Sequence, residues 1–460
     1  MHRLILSTVL GALVLTADAA AAETGAWLAD RETECQVWVG GEPQVDPVIV
    51  WTGPCVDGKA EGMGTLDLIS NDKVHSRYEG EMKAGKKSGR GNLVLAGGIL
   101  YEGEFKDDKF GGQGIWSTTE GARYEGTFVT GAFYGTGVWH NPNGDRYKGD
   151  FVEDRFEGNG EWQGFNGDSY VGDWKAGKQN GKGVWVSAQG SRYEGDFKDD
   201  KFYGEGALVW GPGTDLEGTR YEGGFEDDAF NGHGRMETPE GLSYEGEYVA
   251  GNKHGKGEQK WRSGASYDGD FAHNKRDGFG VMVWPTGDRY EGSWTAELRN
   301  GTGVYTTAEG HRYEGGFEND KSHGFGVLTW PDGDRYEGEW VEGRQEGEGT
   351  FIWPNGDQYE GAFKDNRRHG NGGFTWANGN RYDGNWVEGE PHGEGTYSWA
   401  NGDRYEGAFE RGARTGHGVF IWADGERYEG DFKDGELAGD GVVIRADGSS
   451  FKTLDGSALN

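Results

Sequence analysis

The sequence predicts an all-β fold, an elongated, twisted, single-layer antiparallel sheet made of about seventeen consecutive β-hairpins stacked like a solenoid. Three observations predict it. A tyrosine heading Tyr-Glu-Gly or a close variant stands at Tyr78, Tyr101, Tyr124, Tyr147, Tyr170, Tyr193, Tyr221, Tyr244, Tyr267, Tyr290, Tyr313, Tyr336, Tyr359, Tyr382, Tyr405 and Tyr428, and fourteen of the fifteen intervals are 23 residues. A fixed period in this range marks a stacked repeat array. Each copy contains two runs that alternate large or small residues with charged ones, which is the period of a strand. Between copies no stretch is long enough for a βα crossover, so a parallel sheet is excluded.

The copy headed by Tyr336 shows how one unit is built. Tyr336, Gly338 and Trp340 share one face, and Arg335, Glu337 and Glu339 share the other. A polar loop, Val341 to Glu346, leads to a second run in which Gly347, Gly349, Phe351 and Trp353 lie on a common face. Pro354-Asn355-Gly356-Asp357 closes the unit, and Asn-Gly between alternating runs is a strong hairpin signal. The same turn returns at Asn143-Gly144, Asn378-Gly379, Asn401-Gly402 and Asp424-Gly425. Glycine inside a strand weakens it and marks a bulge or a close approach. Gly338, Gly347 and Gly349 fall on the aromatic face, so rings from neighbouring strands are expected to lie flat over them, as aromatics rescue sheet glycines. A single sheet then makes a thin core from its own large and small residues, which lets a chain with only 33% hydrophobic residues fold.

These residues resemble the MORN repeat, whose pattern runs Tyr-Glu-Gly-x-Trp/Phe, then Gly-x-Gly, an aromatic and an Asx-Gly turn. The likeness covers roughly residues 50 to 450. It implies a sheet of consecutive hairpins, with or without end caps, and a non-catalytic module that joins proteins, forms dimers or touches lipids. With the leader described next, the chain is similar to an exported, bacterial-type MORN protein.

Taken in order, residues 1–22 read as a signal peptide. Arg3 provides a basic start, Leu4 to Leu15 an apolar core and Ala20-Ala21-Ala22 a small-residue cleavage site. Cleavage near Ala22 would place the mature chain in the periplasm or outside the cell. Residues 23–50 lack the repeat and form an N-terminal cap, in which Gln36 to Val39 and Val48 to Val50 are strands covering the edge of the first hairpin. The repeat array spans 51–450. Its first copy is degenerate, with Trp51-Thr52-Gly53 in place of Tyr-Glu-Gly and Gly62-Met63-Gly64 at the expected offset. Cys35 and Cys55 are the only cysteines, and an exported compartment favours a disulfide between them.

Further along, the second-strand tryptophan changes place. It stands at Trp116, Trp139, Trp162 and Trp185 in early copies and two positions later at Trp210, Trp261, Trp284, Trp330, Trp353, Trp376, Trp399 and Trp422. The aromatic stripe therefore shifts sideways near residue 200. Residues 211–219 lengthen one turn by five residues, the source of the single 28-residue interval. Phe451 takes the next tyrosine position, and 451–460 is a C-terminal tail. At two strands per repeat the open array would be on the order of 160 Å long.

Chemistry is sparse. The chain has no nucleophile elbow, Walker loop, His-Glu-x-x-His or zinc-ligand spacing, so the reading is not an enzyme, with no cofactor and no metal. His254, His323, His369 and His392 recur once per repeat before the second-strand glycine, and hairpin spacing sets such equivalents ~9–10 Å apart, too far for one ion. The acidic tips at Asp107-Asp108, Asp199-Asp200 and Asp227-Asp228 raise calcium, but the Gly-Gly-x-Gly-x-Asp pattern of calcium β-rolls is missing. A net charge of −33 argues against nucleic acid, whose binders need a basic footprint, and against anionic lipid. The reading is an exported scaffold for a protein partner or a homodimer. Its binding face would include Tyr336, Trp340, Trp353, Tyr359, Trp376, Tyr382, Trp386 and Trp399. The alternative is a glycan, such as cell-wall polymer, or another small ligand stacked on those rings, and lipid is a weaker third.

Overall fold

A computed structural model describes residues 25–41, 46–454 and 457–458. Residues 1–22, expected as a signal peptide, lie outside the described residues. Among the described residues there is no helix, and nearly every repeat contributes a seven-residue strand followed by a nine-residue one, as in Arg335–Val341 and Arg344–Ile352. The chain divides into two units, Met1–Pro239 with Val249–Gly251, and Glu240–Tyr248 with Asn252–Asn460.

The first unit opens with a small four-stranded sheet of Gly25–Ala29, Gln36–Gly40, Lys59–Ala60 and Cys55–Val56. Cys35 and Cys55 are joined in a disulfide, with Cα atoms 5.8 Å apart. Trp27 lies over Gly85, and the Trp38 amide donates to the Gly85 carbonyl at 2.8 Å, which fixes this sheet to the first complete repeat. Val48–Trp51, expected to cap the edge, is instead the first strand of the main ladder and pairs antiparallel with Gly62–Ser70. The reason is its register. Trp51 faces Leu66 and its ring covers Gly53 and Gly64, the same offsets that set Tyr336 against Phe351, Gly338 and Gly349. From there each strand pairs with its sequence neighbours as far as Ala229–Glu237.

In the second unit the same sequential pairing runs from Asn252–Lys260 to Ser450–Leu454 and Ser457–Ala458. Within each unit, among the described residues, no pairing joins the first ladder strand to the last, so the antiparallel ladders are open rather than barrels.

The three glycines of the motif have two separate causes. Tyr336 lies along its own strand, and its hydroxyl donates to the Glu339 carbonyl at 3.0 Å. Its ring fills the space beside Gly338 and the cross-strand Gly349, where an added Cβ would come within 2.6 Å of it. Gly347 does not share this role. The register slips between Gly338 and Glu339, leaving a bulge on the partner strand, and Gly347 sits there at φ +60 beside the Glu339 carboxylate. A left-handed bulge residue is where glycine is least strained.

Two turn types alternate. The stretch expected as a polar loop, Val341 to Glu346, contains a two-residue turn with Glu342 and Gly343 both at positive φ, the backbone of a type I′ hairpin, whose twist matches that of the strands. The Asn-Gly turn is the longer one. The Gly356 amide donates to Trp353 and the Trp353 amide to Asp357, both at 2.9 Å, with Gly356 at φ +95. That is a type I turn followed by a left-handed glycine, which accepts proline at Pro354.

Side chains staple successive repeats at both sets of turns. The carboxylate of Asp403 accepts from the Ala423 amide at 2.9 Å, and Asp357 and Asp288 do the same for Ala377 and Ala308. At the opposite tips Asp154 and Asp200 accept from Phe133 and Gln179, at 2.7 and 2.8 Å. In the acidic tips weighed for calcium, the second aspartate of each, Asp108, Asp200 and Asp228, accepts from a backbone N–H.

Candidate binding face

The side chains that share the tyrosine face differ between the units. In five copies of the first unit the residue nine positions after the tyrosine is phenylalanine, Phe110, Phe133, Phe156, Phe202 or Phe230, and its ring stacks on the tyrosine at 3.7–3.9 Å between centroids; the copies of Tyr78 and Tyr170 carry Lys87 and Gln179 there. Trp116, Trp139 and Trp162, fifteen positions after the tyrosine, are cross-strand neighbours of tyrosines and are buried. In the copies that carry phenylalanine this face is closed and apolar.

In the second unit no copy carries Phe at the ninth position. Lys253, Arg276, Arg299, Arg368 and Arg414 stand there in five copies. The tyrosine keeps the right-angle rings that it also has in the first unit, as Tyr336 does with Trp340 at 5.3 Å and Phe363 at 5.0 Å, and loses the stacked one. Burial among them raises the tyrosine hydroxyls, to about 12 at Tyr290, Tyr313, Tyr382 and Tyr405.

The displaced tryptophans now stand at the mouth of the Asx-Gly turn, half-buried, and bridge the repeats. Trp330, Phe351, Trp353, Phe374, Trp376, Tyr397, Trp399, Phe420 and Trp422 form a continuous ladder, each centroid 4.4–5.4 Å from the next. Successive planes are inclined by 38–62°, so the ladder is a herringbone ridge. All its rings keep accessible surface except Phe374, which is buried.

The eight residues expected to form one binding face therefore separate. Trp353, Trp376 and Trp399 lie together on the ladder. Tyr336, Tyr359 and Tyr382 are wholly buried, and Trp340 and Trp386 are 5% and 2% exposed. The two tryptophans donate Nε1–H to the carbonyls of Gly326 and Gly372 in the preceding repeat, at 3.2 and 3.0 Å. Period-2 alternation puts all eight on one side of the sheet but does not say which rings the others cover; a buried ring has no surface for a ligand.

Arg368 and Arg414 were not singled out by the sequence. The Arg368 guanidinium carbon lies 4.3 Å from the Trp386 ring centre and 5.2 Å from that of Phe374. That of Arg414 lies 5.5 Å from Trp399 and 5.6 Å from Phe420. Burial holds both below the usual arginine range. The signal that would have found them is the in-register column nine residues after each tyrosine, which is Phe in five copies of the first unit and Lys or Arg in five of the second. Among the described residues no group of three or more His, Cys, Asp or Glu is placed to hold a metal ion.

The description "MORN repeat" belongs to a family model that matches 15 segments, residues 78–98, 101–123 and thirteen more between 147 and 450, well over half of the chain. The copy headed by Tyr124 lies outside these segments, yet Arg123–Val129 and Ala132–His140 pair in the common register. No curated protein matches the sequence. Among solved structures, the TCP10c domain of Drosophila melanogaster Sas-4 is 13% identical, with 39% of this chain and 93% of that one covered and a TM-score of 0.20. The wild-type TCP10 domain of Danio rerio CPAP is 14% identical, with 50% and 94% covered and a TM-score of 0.18. Likenesses at these scores carry no argument about this chain.

Proposed function

The chain belongs to the MORN-repeat family, and on that premise we propose that it is an exported, non-catalytic scaffold whose second unit engages another protein, or a second copy of the chain, through its aromatic ladder. MORN repeats are generally associated with protein or membrane interaction scaffolds and are typically non-catalytic. The observation that carries the reading is the unbroken ladder of rings from Trp330 to Trp422, all but Phe374 half-buried. Tryptophan, tyrosine and arginine are the residues that dominate the energetic centres of protein interfaces. The charge of −33 disfavours anionic membranes and nucleic acid as the surface it meets. Residues 1–22 supply the export reading, and the mature chain would begin at Glu23.

The test is size-exclusion chromatography with multi-angle scattering on the mature chain, together with affinity capture from the compartment that holds it. A dimer, or a captured protein released by Trp376→Ala and Trp399→Ala, supports the scaffold. A monomer at every concentration with no such partner overturns it. The same half-exposed indoles favour a second reading, a glycan stacked on the ladder, since amphipathic rings accept apolar sugar faces. Quenching of tryptophan fluorescence by cell-wall polysaccharide supports that reading, and flat titrations remove it.

A further inference from the structure

The second unit segregates its charge. Register places the tyrosine and the residues two, four, nine, thirteen, fifteen and seventeen positions after it on one side of each hairpin. In the nine copies from Tyr244 to Tyr428 these positions contain no aspartate or glutamate, and their only charged residues are Lys253, Arg276, Arg299, Arg368, Arg414 and Arg445. The carboxylates of this side are confined to its turn edge, at position twenty-one opposite the seventeenth, where Asp288, Asp334, Asp357, Asp403 and Glu426 stand in five copies. In a chain of net charge −33 the strands of this side thus carry cations and rings, with carboxylates only along the turn edge.

Those cations are not equivalent. Arg276 and Arg299 pair with the carboxylates of Glu297 and Asp320 on the next hairpin tip, at 2.6 and 3.1 Å. In the copies of Arg368 and Arg414 the residue at that tip position is glycine, Gly389 or Gly435. Arg368 donates to the Gly389 carbonyl at 2.7 Å and Arg414 to that of Gly435, and among the described residues neither has a carboxylate within ion-pair distance. A guanidinium has five donors in a fork that matches a carboxylate, so each keeps donors for an outside acceptor. The two lie two repeats apart, ~19 Å at the spacing of four strands. Phe374, Trp376, Tyr397 and Trp399 run between them.

We propose that Arg368 and Arg414 are paired carboxylate anchors for an acidic segment of a partner protein, whose apolar side chains lie against the ladder between them. This rests on the scaffold reading above and names the chemistry of the partner. A span of ~19 Å corresponds to glutamates or aspartates about six residues apart in an extended chain, or about thirteen apart on a helix. Two isolated cations do not suit a polyanion with a charge every few ångströms, such as nucleic acid. The inclined planes give no flat platform for a row of sugars.

The test uses fluorescence anisotropy with the mature chain and synthetic peptides carrying two glutamates, at the extended or the helical spacing, with leucine and tryptophan between them. Controls replace both glutamates by glutamine, and polygalacturonate stands for an acidic glycan. Because phenylalanine fills the same position in five copies of the first unit, Arg368→Phe with Arg414→Phe removes the charge and keeps the packing. Expected are saturable binding of one diglutamate peptide, weakening with salt, and loss of at least about tenfold in the double variant and in the glutamine peptides. Arg276→Phe with Arg299→Phe, whose arginines already have carboxylates, should leave binding unchanged. Equal binding by glutamine peptides or by the Arg368/Arg414 variant overturns the proposal, as does preference for polygalacturonate. A captured partner that ignores the double variant while still needing Trp376 and Trp399 overturns this proposal alone and leaves the scaffold standing. No peptide binding and no partner overturns both.

Discussion

The ring of Tyr336 occupies the volume that a Cβ on Gly349 would need, with that atom only 2.6 Å from Cε2. The pair faces the same way in copy after copy, as with Tyr147 and Gly160 or Tyr428 and Gly441. The repeat motif is therefore a statement about volume. A ring as large as tyrosine lies flat on a two-stranded ribbon only where both strands have no side chain beneath it.

Gly349→Ala should accordingly destabilise the hairpin by about 1–3 kcal/mol through overpacking. Because repeat arrays behave as neighbour-coupled units, the loss should be local. Hydrogen exchange should accelerate in Arg335–Val341, Arg344–Ile352 and Gln358–Lys364 and stay unchanged in the first unit. Uniform protection after the substitution would refute the volume argument.

The tyrosines also set the alkaline limit of the fold. Burial raises their hydroxyls above the ordinary value of 10, to about 12 at Tyr290, Tyr313, Tyr382 and Tyr405. The folded state then holds phenolic protons that the unfolded chain releases. Stability is fully present below pH 10, falls as pH rises beyond it, and is lost through the raised values. Each buried tyrosine adds a slope of at most about 1.4 kcal/mol per pH unit. Denaturant midpoints should not fall between neutral pH and about 9.5, where buried Lys253, lowered to about 8, can only add stability, and should drop steeply from about 10.5; a gradual decline starting near pH 8 would contradict it.

Much of this was legible in the sequence, and the limits have physical causes. The 23-residue period and the alternation around Tyr336 yield the hairpins, their order and the face of every ring. Pro354-Asn355-Gly356 marks a turn but not its type, because Asn-Gly serves both a two-residue turn and the longer one with a left-handed glycine. Gly347 and Gly349 look alike in sequence, yet one answers to a positive φ and the other to a ring. The division of Trp340 and Trp386 from Trp376 and Trp399 was not legible. Position along the strand decides whether an indole reaches the preceding repeat's carbonyl or the open turn.

The turn staples are testable with a matched pair. Asp403 accepts from the Ala423 amide, and in the preceding repeat Asn380 makes the equivalent bond to Ala400 at 3.0 Å. Asp403→Asn should therefore be nearly neutral, while Asp403→Ala should lower stability by about 1 kcal/mol, the net worth of one such bond. Equal effects of the two in urea denaturation would show that the carboxylate's charge, not its acceptor oxygen, matters.

Reduction of Cys35–Cys55 should act only on the first unit. The bridge closes a short loop, and its loss should remove roughly 2–4 kcal/mol from the terminal sheet. Under reductant, exchange should rise in Gly25–Ala29 and Gln36–Gly40, with the second unit's strands unaffected. Loss of protection across both units would mean that the terminal sheet governs more than its own edge.

The sharpest test of the binding face is to compare two tryptophans that the sequence presents as alike. Trp386 is 2% exposed, donates Nε1–H to Gly372 and carries Arg368 on its face. Trp399 is half-buried on the ladder between Tyr397 and Phe420. Truncating a buried indole leaves a cavity and an unpaired carbonyl, so Trp386→Ala should cost about 3–5 kcal/mol. Trp399→Ala should cost less than half of that, since water already reaches the ring and little cavity is left. Binding should follow the opposite order once stability is held constant. At a temperature where both variants are folded by circular dichroism, Trp399→Ala should weaken a captured partner or self-association by about tenfold or more, a 1.4 kcal/mol effect or larger. Trp386→Ala should leave affinity nearly intact unless it also displaces Arg368, which the Arg368→Phe variant reports separately. If Trp399→Ala binds like the parent chain while Trp386→Ala does not, the ladder is only core, and the interface lies on another surface.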